Sequence, residues 1–150
     1  MKRQFAEENR ASTEELKMLV AGLHEAVHDQ PVGHGWTVAT LLCHLALWDG
    51  RVAYTLKEWR ATGKLPSNVA KDATDAINLA ARDIFAEVPA RRAVELAVKR
   101  AETLDIFLET LDDAFCEQVI AAGFERMLRR SLHRREHLVE MRKALRYESN

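Results

Sequence analysis

Apolar residues recur along this chain at three- and four-residue spacing over long stretches, the pattern of helices that bury one face. Leu16, Leu19, Val20, Leu23 and Val27 form the first such stripe and predict a helix running to about Asp29. Pro31, Gly33 and Gly35 break the pattern, and Thr37 then stands as an N-cap, with Trp36 before it placed to pack on Leu41 as a hydrophobic staple. From Val38 to about Arg60 the apolar positions run nearly all round the helix, through Leu41, Leu42, Leu45, Leu47, Trp48, Val52, Leu56 and Trp59, which predicts a place near the centre of a bundle. Gly63 and Pro66 mark a long connection, and Asp72 to Glu87 reads as a shorter helix with Ile77, Ala80, Ala81 and Ile84 on one side. Beyond Pro89, a long inward stripe passes through Val94, Ala97, Val98, Ala101, Leu104, Leu108 and Leu111. After an interruption at Gly123, a last helix is predicted from about Phe124 to Arg146. No β-branched alternation competes with these assignments, so the expectation is an all-α protein, a four-helix bundle with one short extra helix.

Composition narrows the picture. A chain of 150 residues is expected to form one domain over 1–150. Its 22 Lys and Arg against 23 Asp and Glu leave a formal charge of -1, so no whole-molecule field draws nucleic acid or an anionic membrane, and a small-molecule partner is expected instead. The bases of the last helix (Arg126, Arg129, Arg130, Arg134, Arg135, Arg142, Lys143 and Arg146) spread all round it, and near the acid-rich third main helix this predicts ordinary ion pairing within the bundle. Two cysteines, Cys43 and Cys116, make no disulfide framework. The N-terminal stretch carries acids where a signal peptide needs an apolar run, and nothing approaches the ~20 apolar residues of a membrane span. A cytoplasmic protein is expected. The sequence holds no Gly-rich phosphate loop, no Cys-x-x-Cys pair and no nucleophilic Ser elbow.

Candidate chemistry lies in the histidines. His133 and His137, four apart, present both imidazoles on one helical face, close enough for one metal ion to join them. His44 sits in the run Leu41 to Leu47, where a lone imidazole would be dehydrated without an obvious partner. If the second and last helices are neighbours, His44 supplies a third ligand across the core and leaves metal positions open to water or substrate. Arg130, one turn before His133, could hold a carboxylate or phosphate of a substrate, the alternative being an ion pair with acids of the third main helix. Glu136 and Glu140 flank His137, and either could orient its imidazole or act as a general base. Trp48 is read either as a wall of this site or as core. His24 and His28 read as a surface pair and His34 as a loop residue. On a helical wheel, Arg126, Arg130, His133, His137, Met141 and Ala144 fall at the edge of the last helix's apolar arc, which fits a site at one end of the core and equally two exposed histidines.

Two segments carry a family resemblance. Gly35-Trp36-Thr37-Val38-Ala39-Thr40-Leu41-Leu42-Cys43-His44-Leu45-Ala46-Leu47-Trp48-Asp49 is similar to a helix start of Trp-Thr-Val followed by a ligand His and then Trp-Asp, and His133-Arg134-Arg135-Glu136-His137-Leu138 with Arg142 is similar to a closing helix with ligands four apart. The chain resembles the DinB-like superfamily of metal-binding four-helix bundles, which includes maleylpyruvate isomerase domains and bacillithiol-dependent transferases. The resemblance implies a ligand role for His44, His133 and His137. It also implies an up-down-down-up path with a long crossover between the second and third main helices. The function it implies is a metal-dependent enzyme, a thiol-dependent S-transferase or a hydrolase acting on a small electrophile, with Zn2+ or Ni2+ (Fe or Mn as further choices) and a low-molecular-weight thiol as cofactors. Arg130 and Glu136 are the candidate catalytic residues, and a homodimer is the candidate assembly. The alternative is a non-catalytic helical stress or binding protein whose metal is structural or absent.

Overall fold

A computed structural model describes residues 1–24 and 27–146. Among these, helix dominates, and the all-α expectation stands. The elements are α1 (Lys2–Ala21), a small hairpin of β1 (Pro31–Gly33) and β2 (Trp36–Thr37), then α2 (Val38–Thr62), α3 (Lys71–Phe85), α4 (Ala90–Glu109), α5 (Asp113–Ala121), α6 (Glu125–Leu128) and α7 (Ser131–Arg146). No helix among the described residues is long and apolar enough to cross a membrane.

Four expectations need correction. The first helix stops at Ala21, not near Asp29: its end tightens at Gly22, and the carbonyls of His28 and Gln30 turn to accept the N–H groups of Ala39 (2.9 Å) and Val38 (3.1 Å). Those donors would otherwise be orphans of the first turn of α2, so the segment before the hairpin caps the next helix instead of extending the last one. Residues 25 and 26, which the longer helix would have included, lie outside the described residues. The short helix α3 turns Thr74, Asn78, Ala81 and Phe85 inward and leaves Ile77 and Ile84 exposed. Between Leu111 and Gly123 the chain forms α5, capped by Asp112, whose carboxylate accepts from the N–H of Phe115 at 2.8 Å. The last helix is broken: Arg129, at φ -104 and ψ 69, separates α6 from α7.

The hairpin turns through His34 at φ 53, flanked by Gly33 and Gly35. It delivers Thr37 as the N-cap of α2, where Thr37 and Thr40 form a reciprocal capping box. Every residue from Val38 to Ala46 is buried, as the all-round apolar pattern requires. Helix α2 packs on α4, whose Ala93, Ala97 and Ala101 give a small-residue stripe at four-residue spacing, and α1 lies against both α4 and α7.

The interior has two apolar clusters. One gathers Phe5, Val52, Leu56, Trp59, Leu104, Leu108, Phe115 and Val119, and the other Leu16, Val38, Leu41, Leu42, Leu45, Ala97, Leu138 and Met141. Between the two clusters, each of α1, α2, α4 and α7 carries buried polar residues: Asn9, Ser12 and Thr13; Asp49; Asp105; Ser131 and Arg134, with Arg130 just before α7. A polar band thus crosses the core beside the histidines of α7.

Candidate metal centre

His44 is one of the buried residues of the first turns of α2, held there by the apolar run around it, while His133 and His137 stand one turn apart on α7. The packing of α7 on α2 brings all three together. Their ring centroids are 4.7–5.3 Å apart, and one ligand nitrogen from each lies within 4.8 Å of the others. Nε2 of His133 and Nε2 of His137 are 3.2 Å apart. Two nitrogens on one tetrahedral cation, each about 2.0–2.1 Å from it, would be about 3.3 Å apart. The Nδ1 atom of His44 is buried with no hydrogen-bond partner. A buried imidazole nitrogen left unsatisfied is costly, and a cation is one way to satisfy it. On both observations the residues fit a metal ion.

Burial sets the charge state of the rings. The pKa of His44 is pushed down to about 3, chiefly by burial and further by His137 and Arg130. His133 is held far below its ordinary range, again by burial first and then by Arg130. Both are therefore neutral near pH 7, the form that ligates metal. Trp36 meets the His44 ring edge-on at 5.3 Å, and Trp48 lies 6.2 Å from it. Trp48 is only half-buried, donates from Nε1 to Asn78 Oδ1 on α3 at 2.9 Å, and lies under the Arg51 guanidinium. It walls the site and tethers α3 to it.

A model of the DinB superfamily matches residues 8–141. The chain belongs to that superfamily. No curated protein and no solved structure matched this DinB chain. The match runs from within α1 through most of α7 and includes all three histidines.

The other sequence candidates fall in different places. Arg130 reaches the histidines: its Nη2 donates to His133 Nδ1 at 2.7 Å while its Nε donates to Asp49 Oδ1 at 2.8 Å. Glu140 also reaches them, its Oε2 being 2.8 Å from His137 Nδ1. Glu136 does not, for it is exposed and both its oxygens accept from Arg126 Nη2 at 2.9 Å. His24 is exposed and His34 forms the hairpin turn, but His28 is buried, contrary to its reading as a surface residue. The thiol of Cys43 is pushed up to about 11 by burial, so it stays protonated beside the site.

In this DinB protein the most buried charges were not singled out by the sequence. Arg134 is 0% exposed and donates to Asp49 (3.0 Å), to Asp105 (2.8 Å) and to Thr13 (2.9 Å). Burial raises the pKa of Asp105 from its ordinary value, against the pull of Arg134 and Thr13. One signal was available: Asp49 is the single acid between Val38 and Leu56, in a stretch otherwise fit for the core. The bases of α6 and α7 do pair within the fold, but mostly away from the third main helix. Arg129 pairs with Glu8, Arg135 and Arg142 with Glu15, and Arg130 with Asp49. A cleft of about 610 Å³ lies elsewhere, among Lys2, Phe5, Arg10, Leu108, Asp113 and Cys116.

Proposed function

We propose that His44, His133 and His137 hold one divalent cation, Zn2+ or Ni2+ first and Fe or Mn as further choices, and that the protein is a metal-dependent enzyme acting on a small electrophilic substrate. The reaction class is transfer of a low-molecular-weight thiol or hydrolysis. The observation that carries this reading is the meeting of a buried His44, whose Nδ1 has no hydrogen-bond partner, with a histidine pair whose Nε2 atoms already converge. Membership of a superfamily that is typically metal-binding supports it. A divalent cation at such a site lowers the pKa of a water or thiol bound to it, which supplies a nucleophile near neutral pH.

The chain's own groups have separable tasks in this reading. Glu140 orients His137 through Nδ1. Trp36 and Trp48 exclude water from one side of His44. Arg130 is the group placed to hold an anionic part of a substrate. Glu136 would serve as general base only after leaving Arg126. The path through the four main helices α1, α2, α4 and α7 is taken as up-down-down-up, with α3 in the crossover between α2 and α4.

Elemental analysis of freshly purified protein tests the cation. About one equivalent is expected, and His44→Ala should lose most of it, because it removes the ligand that α7 does not supply. An unchanged stoichiometry in His44→Ala would end the three-ligand reading. A second reading, in which the metal is structural or absent, has one observation in its favour: His133 and His137 are already hydrogen-bonded to Arg130 and Glu140 without it. Chelation separates the two. A catalytic site gives up its metal with the helices intact, and turnover of a thiol with a simple electrophile then falls to the level of His137→Ala, whereas loss of a structural metal unfolds the chain.

A further inference from the structure

The outer nitrogens of His133 and His137 face partners of opposite kind. His137 Nδ1 lies 2.8 Å from a carboxylate oxygen of Glu140, which accepts, so Nδ1 carries the hydrogen and Nε2 keeps its lone pair. His133 Nδ1 lies 2.7 Å from Arg130 Nη2. A guanidinium has donors only, so here Nδ1 supplies the lone pair and, in the neutral ring, Nε2 carries the hydrogen. The 3.2 Å contact between the two Nε2 atoms is then donated by His133 to His137. All donors point one way, from Arg130 to His133 to His137 to Glu140.

An imidazole that ligates a metal through one nitrogen ordinarily gives the N–H of the other to a carboxylate, a carbonyl or water. His137 has that arrangement and His133 has its reverse. A cation needs the lone pair of His133 Nε2, and the hydrogen moved to Nδ1 would then meet an N–H of Arg130 at 2.7 Å. Arg130 is held at its other end, since it is 6% exposed and its Nε stays on Asp49, an acid that Arg134 also pairs with. The guanidinium is one rigid plane, so the contact to His133 opens by a tilt of that plane about its bond to Asp49 or by a turn of the His133 ring.

We propose that Arg130 competes with the cation for His133: its Nη2 fixes the ring in the tautomer that cannot ligate through Nε2, and uptake of a cation requires that contact to open while Nε remains on Asp49. This rests on the three-histidine cation site proposed above. Opening the contact also frees Nη2 to receive an anionic substrate group, so Arg130 acts as a positioning residue before the cation is held and as a binding residue afterwards.

Nitrogen-15 NMR of the histidine side chains, recorded on chelator-stripped wild-type protein and again after titration with Zn2+, tests it. Stripped protein should show hydrogen on Nε2 but not Nδ1 of His133, and the reverse on His137. With Zn2+, the hydrogen of His133 should appear on Nδ1. Hydrogen on His133 Nδ1 in the stripped protein overturns the proposal, and so does bound Zn2+ with that nitrogen still bare. If Zn2+ leaves all three rings unchanged, the cation site itself fails, an outcome that the stripped spectrum keeps distinct. Arg130→Gln gives a second reading, because its amide oxygen can accept from Nδ1–H. Zn2+ should bind it about tenfold more tightly, the worth of one hydrogen bond gained. A residue that merely supported the ligand would, when replaced, weaken binding about 10- to 100-fold, the opposite sign. Should Arg130→Gln not fold, Arg130→Lys keeps a charge for Asp49 without spanning to His133 and should shift the affinity in the same direction.

Discussion

Replacing Arg134 by Met should cost the protein a large part of its stability, and the structure says how much. The residue is 0% exposed, and its guanidinium donates to Asp49 at 3.0 Å and to Asp105 at 2.8 Å, to Thr13 at 2.9 Å, and more distantly to Ser12 and to the carbonyls of Asn9 and Ala101. Methionine keeps much of the stem's volume, so the change removes charge and donors with little cavity. Asp49 would keep Arg130, but Asp105 would be left with only the hydroxyl of Thr13 at 2.6 Å. Taking away one partner of a buried pair costs about 3–5 kcal/mol, because the other charge stays behind without compensation. Against a typical total of about 5–15 kcal/mol that is severe. With a urea slope of about 2 kcal/mol per M, the midpoint should fall by about 2 M.

The pH dependence checks the cause. Asp105 is already raised by burial, with Arg134 the first group opposing that rise, so in Arg134→Met its carboxyl is held higher still. The unfolded chain releases that proton near pH 4 and the folded variant retains it, so the variant's stability is greatest below about pH 4 and declines as pH climbs through the raised value. The deficit against wild type should therefore be smaller at pH 4.5 than at pH 7, and adding Asp105→Asn should recover part of it at pH 7. A loss under about 1 kcal/mol, or one that is equal at both pH values, would refute the reasoning from an uncompensated buried carboxylate.

Two further changes follow from the same geometry. His44, with its pKa lowered to about 3 by burial, binds its proton in the unfolded chain first, so metal-free protein should lose stability as pH falls from about 6.5. His44→Gln should flatten that slope between pH 7 and 5 in urea titrations, leaving the share that comes from His133; identical slopes would mean that His44 does not titrate as its burial requires. Trp48→Phe removes the 2.9 Å bond to Asn78, and α3 has no fully buried residue to hold it otherwise. Amide exchange in α3 should quicken about fivefold, the equivalent of about 1 kcal/mol, while α2 and α4 are unaffected. A uniform increase along the chain would assign Trp48 to the core instead.

The three-histidine cluster was legible because its parts are local anomalies: an imidazole inside Leu41 to Leu47, and two more at helical spacing. Even their awkward position held. His133 and His137 are half-buried at the margin of the buried face of α7, and His44 comes to them from α2. What periodicity could not give was the phase of the last helix, because the break at Arg129 separates the wheel of α6 from that of α7 and puts Arg126 in solvent while Arg130 is buried. Nor could it give Arg134 or Asp105, since a pattern of apolar and polar positions assigns every charge to the surface by default. Yet these charges bear on the site.

Asp49 lies five residues beyond His44 on α2, and its two oxygens receive Arg130 and Arg134, which bracket His133. Apolar contacts between two helices tolerate a slip of one turn, about 5.4 Å, by repacking. These pairs do not, because the same slip would carry donors and acceptors out of reach and leave buried charges on both helices. Arg134 then ties that register to α4 through Asp105 and to α1 through Thr13. This band of charge can in this way fix where α7 stands along α2, and that position decides whether the imidazoles of His133 and His137 meet the one on α2.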